Sequence, residues 1–246
     1  MKPQQVGRPA YEQAETPHLE VLDRGLIGNG SLHDEIYRAM RAALVAGDLV
    51  PGQVFPIRML AERFGTSLVP VRDALKRLVA ERALAMQPNR TVCVPLMTRR
   101  RFQELLQARL SLEAMLVQMA ASRIRDREIL ELEAVNEEMQ EAVGRDEVKA
   151  YLSANNRFHF LLYGAAGSTV ILPIVESLWM QAGPFLNGVF TSRGIRNARD
   201  NHAEVLKALR RRDPRSAAAA VHADLADAAD VILAGDEFVL DEEPVW

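Results

Sequence analysis

Three of the five histidines in this 246-residue chain fall in its second half, at positions 159, 202 and 222. Each lies inside a segment whose apolar residues recur at helical spacing. Asn155 precedes His159 by four residues in "NNRFHFLLYG", so the two share one helix face with Cβ atoms about 5–6 Å apart. Imidazole nitrogens and an amide oxygen brought together in this way suit a borderline divalent cation such as zinc or nickel. Facing helices of a bundle commonly hold such a site. The competing reading makes each histidine a core residue bonded to a backbone carbonyl, and spacing alone leaves both open.

A second chemistry is recognition of a polyanion. Residues 31–100 carry 11 lysines and arginines against 6 acidic residues, whereas residues 101–246 carry 16 against 23. A basic block followed by an acidic one assigns contact with nucleic acid to the first part and a different task to the second. Arg58, Ser67, Arg72, Lys76 and Arg90 are the residues of the basic block placed to meet DNA. The competing reading is a set of solubilising charges on a small protein-binding domain.

The elements that must position these groups follow from the punctuation of the chain. Residues 1–30 have little apolar periodicity and read as a flexible arm. Ser31 is the expected N-cap of a first helix that stops at Gly47, before a "PG" turn. A short helix fits "PIRMLAERFG", with Gly65 supplying the positive φ that the following turn needs. A capped helix starting at Ser67 comes next, with Pro70 in its first turn and Val71, Leu75, Leu78 and Val79 on one face. That spacing is a helix-turn-helix. "ALAMQPNRTVCVPL" then alternates as two short strands around "PNR", which adds a wing with Arg90 at its tip.

Beyond Thr98 the periodicity is helical throughout, in segments of about 98–124, 127–143, 146–166, 169–192, 195–212 and 214–234, joined by connections short enough for antiparallel neighbours. The expected fold is therefore mainly α. A winged helix-turn-helix over residues 31–97 precedes an antiparallel helix bundle over 98–235, and an acidic tail covers 236–246. No stretch approaches the roughly 18 apolar residues of a membrane span, and the N-terminus lacks a signal-peptide core, so a cytoplasmic location is expected. The one cysteine, Cys93, excludes an intrachain disulfide and a cysteine-rich zinc module and reads as a packed strand residue. With no "HExxH" arrangement and no Ser-His-Asp or Cys-His candidate, the chain is not expected to be an enzyme. Metal-dependent hydrolysis at the three histidines is the alternative, and a purely structural metal site is another.

"GDLVPGQVFPIRMLAERFGTSLVPVRDALKRLVAERAL" resembles the GntR family of bacterial transcription regulators, whose pattern runs through a "G-x-L-x-P-G" turn, an "LAxxxGVS" helix and an "RTPVREAL" recognition helix. Leu68 and Val69 stand where that family commonly has Arg and Thr, and Thr91 stands where the wing tip usually has glycine. "ARLSLEAMLVQMAA", "NNRFHFLL" and "NHAEVLKALRRRDPRSAAAAVHADL" are similar to the ligand-binding FCD domain of the FadR branch. The resemblance implies metal ligation by His159, His202 and His222, with Asn155 in place of the more usual Asp. It further implies that Arg109 clamps the carboxylate of a small organic acid, although an ion pair with Glu113 one turn on is an equal alternative. A homodimer on a palindromic operator, acting as a ligand-responsive repressor, is the implied function.

Overall fold

The computed structural model describes residues 31–88, 90–189, 200–235 and 238–240, and within them the two expected layers are built from separate cores. The first contains α1 (Leu32–Ala46), β1 (Val54–Phe55), α2 (Ile57–Arg63), α3 (Leu68–Ala80), β2 (Ala85–Met86) and β3 (Val92–Cys93). Gly65, at φ 60°, ends α2 in a left-handed turn whose Gly65 and Thr66 amides donate to the carbonyls of Glu62 and Ala61, the paired closure that leaves a helix end satisfied. α3 starts at once, with Ser67 in the N-cap position, although its hydroxyl makes no cap hydrogen bond. Val71, Ala74, Leu75 and Leu78 are buried against Ile36, Met40 and Leu44 of α1.

The wing pairs β2 with β3 antiparallel, Ala85 opposite Cys93 and Met86 opposite Val92. The sheet also contains a strand that periodicity does not reveal: β1 pairs with the far edge of β3, giving the order β1-β3-β2. Two residues between a turn and Pro56 are too few to show alternation.

The second layer contains α4 (Arg99–Ala121), α5 (Asp126–Gly144), α6 (Val148–Gly164), α7 (Ile171–Val189), α8 (Asn201–Arg210) and α9 (Pro214–Leu233). Their starts are chemically marked. Thr98 Oγ1 accepts from the Arg101 amide at 3.1 Å, Asp200 from Ala203 at 3.0 Å, and Asp213 from Ser216 at 3.0 Å, with Pro214 in the first turn of α9. The expected start of a helix at 195 falls outside the described residues, as do the N-terminal arm and most of the acidic tail.

α7 joins the two layers. Trp179 belongs to the bundle core, whereas Met180 is buried in the core of the winged domain. Ser177 Oγ donates to the Glu81 carbonyl at 3.1 Å, Glu176 pairs with Arg41 at 2.6 Å, and Gly183 lies against the C-terminal end of α1. A Cβ on Gly183 would stand 2.3 Å from the Leu44 carbonyl oxygen and 2.9 Å from that of Val45, so this contact exists only because the residue has no side chain. At the linker between the two domains, around residues 97–99, the chain closes on itself. Val239 forms a parallel bridge with Thr98 and donates its amide to Met97 at 3.1 Å. Arg99 lies over the Phe238 ring, 4.6 Å from its centroid, and bonds the carbonyls of Leu233 and Gly235.

Candidate metal centre and DNA-reading face

His159 on α6, His202 on α8 and Asp224 on α9 each offer one ligand atom, all within 4.8 Å of one another. Both imidazoles are buried, with ring centroids 5.3 Å apart. His222 is not in this group: its side chain is exposed, and Asp224 occupies the inner position expected for it. The physical reason is helix phase. The buried residues of α9 are Ala217, Ala218, Val221, Leu225, Ala229 and Ile232. Positions 222 and 224 lie on opposite borders of the stripe these form, 222 one turn after Ala218 and 224 three residues after Val221, and the border that meets His159 and His202 is the one carrying Asp224.

Proton accounting sharpens the geometry. Glu113 is fully buried and accepts three hydrogen bonds from three helices: Arg109 Nε at 2.7 Å, Trp179 Nε1 at 3.1 Å and the Tyr163 hydroxyl. Tyr163 has one proton and gives it to Glu113, so toward His159 Nδ1, 3.0 Å away, it acts as acceptor and the ring donates. His159 Nε2 then faces Asp224 Oδ2 at 3.1 Å. Two acceptors do not sit at that separation without a proton or a cation between them. Asp224 reaches toward His202 Nδ1 as well, at 3.8 Å, beyond hydrogen-bond range, and His202 Nε2 is buried with no hydrogen-bond partner among the described residues. Such an orphan normally marks a missing partner.

The charge states match ligation. Burial lowers the pKa of the His202 imidazolium and keeps the ring neutral, against the opposing pull of Asp224. Burial alone would raise the Asp224 carboxyl, but the facing imidazoles of His202 and His159 hold it below the usual carboxylate range. Burial and the Glu113 charge push the Tyr163 phenol well up, so it remains a donor. A neutral imidazole and an ionised carboxylate are the forms a divalent cation binds, and a histidine whose second nitrogen is tied to a hydroxyl and carboxylate is oriented for it. The residues present therefore fit a zinc- or nickel-class ion. Asn155 lies one turn before His159 on α6 and is half-buried.

Arg109 is buried in the ion pair with Glu113, and its guanidinium carbon lies 4.5 Å from the Trp179 ring centroid. The ion-pair alternative is thus present in the structure. It engages Nε at 2.7 Å.

On the winged domain Arg58, Ser67, Arg72, Lys76 and Arg90 are all exposed. Lys76 lies 3.7 Å from Asp73 on the same helix, both well solvated, a pair too exposed to hold it. Arg90 has φ 64°, in the wing turn closed by the Arg90 amide to Gln87 and the Gln87 amide to Thr91. The left-handed position that glycine usually fills is therefore occupied by Arg90 itself, one residue before Thr91.

Comparison with known proteins finds two family models that match successive parts of the chain. The family model for "Bacterial regulatory proteins, gntR family" matches residues 32–94, and that for the FCD domain matches residues 104–227. The chain is 28% identical over 192 residues to the HTH-type transcriptional regulator McbR of Escherichia coli (strain K12), covering 77% of this chain and 87% of McbR. It is 27% identical over 200 residues to the Exu regulon transcriptional regulator of the same organism, covering 73% and 74% of the two chains. The solved structure of E. coli McbR/YncC superposes with a TM-score of 0.76 at 27% identity, covering 83% of this chain and 98% of that one.

Proposed function

Because the chain belongs to the GntR family of DNA-binding bacterial transcription regulators and carries an FCD domain, we propose that a divalent cation and a small carboxylate, bound in the helical domain, control operator binding by the winged domain. The observation that carries this reading is the facing pair His159 Nε2 and Asp224 Oδ2 at 3.1 Å, beside the orphaned His202 Nε2. His159, His202 and Asp224 are the proposed ligands, with the Asn155 amide oxygen as a fourth. Bound there, the cation supplies open coordination positions for an acid's carboxylate. Arg109, held by Glu113, takes the acid's other end. With a single carboxylate among its ligands, a divalent site retains positive charge that favours an anionic effector.

An effector changes operator affinity only if it binds two arrangements of the domains unequally. The proposed route is α7. Its Trp179 is hydrogen-bonded to Glu113, in the network around the ligands, while Met180, Ser177, Glu176 and Gly183 touch the winged domain. A homodimer presents two α3 helices to the half-sites of a palindrome, and the acid releases it from DNA, so the protein acts as a repressor.

A second reading, in which the cation only ties α6, α8 and α9 together, is favoured by the aromatic packing of the site: Phe158 lies 4.8 Å from His202 and Trp179 5.4 Å from His159. A thermal-shift screen of small carboxylates against metal-loaded and chelator-stripped protein separates the two. An acid that stabilises only the loaded protein, and that alters operator affinity, supports the regulatory reading. Stabilisation by metal with no acid able to add to it supports the structural one.

A further inference from the structure

The first two residues of α3 are apolar and solvent-facing: Leu68 is 38% exposed and Val69 61%. Neither belongs to the buried stripe of Val71, Ala74, Leu75 and Leu78, so neither contributes to the core. A β-branched residue in the first turn also gains nothing in helix propensity over a polar one. Their surroundings are those of a DNA interface. Leu68, Arg72 and Lys76 follow one another at i and i+4 along the outer face of α3. A shallow groove beside Leu68 is lined by Arg58, Glu62, Thr66 and Ser67. In a helix-turn-helix the N-terminal residues of this helix are the ones that reach base edges in the major groove.

The major-groove edge of a base pair offers hydrogen-bonding groups and one apolar group, the C5 methyl of thymine. We propose that Leu68 and Val69 are specificity determinants that read thymine methyl groups in the operator half-site. The basic residues around them hold phosphates and set the register. This places a thymine, rather than a guanine addressed by a charged residue, at the positions facing the start of α3. The proposal rests on DNA binding by the winged domain and is independent of the metal centre.

The test uses the full-length protein without effector. Operator duplexes are first selected from a random pool, and each thymine is then replaced in turn by deoxyuridine, which keeps every hydrogen-bonding group and removes only the methyl. One or two positions in each half-site should lose about three- to fivefold in affinity, the worth of one buried methyl. In Leu68→Ala or Val69→Ala protein the matching penalty should shrink below about 1.5-fold, because the partner of the methyl is gone. Both side chains are outside the core, so the variants should fold, with unchanged melting temperature as the control. Deoxyuridine substitutions that are neutral at every position overturn the proposal. So do penalties that persist unchanged in both variants, and so do variants that bind the thymine operator as tightly as the parent, which would assign the apolar pair to a protein partner.

Discussion

Trp179 and Met180 are consecutive residues of one helix, and their side chains are buried in the cores of two different domains. Adjacent helical positions diverge by about 100°, which is enough to serve two neighbours. The network around the proposed metal ligands therefore ends one peptide bond from the packing of the winged domain.

Replacing Trp179 with Phe keeps an aromatic ring and removes the hydrogen bond to Glu113, which retains its Arg109 and Tyr163 donors. Metal affinity should stay within about threefold and stability should fall by about 1 kcal/mol, the worth of one hydrogen bond. The change in operator affinity caused by a bound acid should drop several-fold. Gly183→Ala attacks the other end of the route. With a Cβ 2.3 Å from the Leu44 carbonyl oxygen, the domains must part, so the melting temperature and operator affinity should both change while the metal-induced stabilisation persists. Operator titrations with and without acid, alongside thermal melts, check both variants.

The ligand assignment makes His202 and Asp224 sensitive and His222 insensitive. His202→Ala and Asp224→Ala should abolish stabilisation by zinc or nickel, which for a cation at a hundred times its Kd amounts to about 2.7 kcal/mol. His222→Ala should leave it unchanged, since that ring is exposed and outside the group. Asp224→His should retain binding with a softer ligand set and tilt preference further toward nickel and zinc over magnesium. Thermal shift against a chelated control reads each outcome.

Arg90 combines a conformational cost with a functional charge. Its φ of 64° is one that glycine adopts freely, so Arg90→Gly should stabilise the winged domain by about 0.5–1 kcal/mol. The same change removes a cation from the wing tip. Operator affinity should fall several-fold and the slope of log affinity against log salt should flatten by about one unit. A variant that is more stable and binds less tightly, seen by melting and by salt titration, is the expected pair of results.

Tyr37 ties α1 to the end of α3 through a 2.7 Å hydrogen bond to Glu81, and burial together with that carboxylate pushes its phenol up to about 12. The unfolded chain releases this proton near the ordinary value of about 10, so between the two values the folded state holds more protons and stability falls as pH rises. The contribution is complete below about pH 10 and is lost by about pH 12. Unfolding midpoints measured across that window should decline more steeply in the parent than in Tyr37→Phe.

Much of the architecture is legible in local signals, because Gly65, Thr98, Asp213 and Pro214 mark helix ends by backbone chemistry that acts within a few residues. The candidate metal centre is legible only in part. His159 and His202 stand out by type, but an aspartate two residues from a histidine on an alanine-rich helix is distinguished only by which border of the buried stripe meets α6 and α8, and that depends on partners distant in the chain. The role of α7 is less visible still: nothing in "SLWMQAGPFL" separates a residue that packs into its own bundle from one that packs into the neighbouring domain.

The placement of Met180 and Phe238 also bears on the order in which the protein matures. The winged domain leaves the ribosome first, yet one of its core side chains comes from residue 180, and the segment that grips its outgoing linker comes after residue 235. A nascent chain interrupted before α7 would carry a reading head with a gap in its interior and no fixed attitude toward the rest of the molecule. Commitment to one arrangement of the two domains is thus deferred until synthesis is nearly finished.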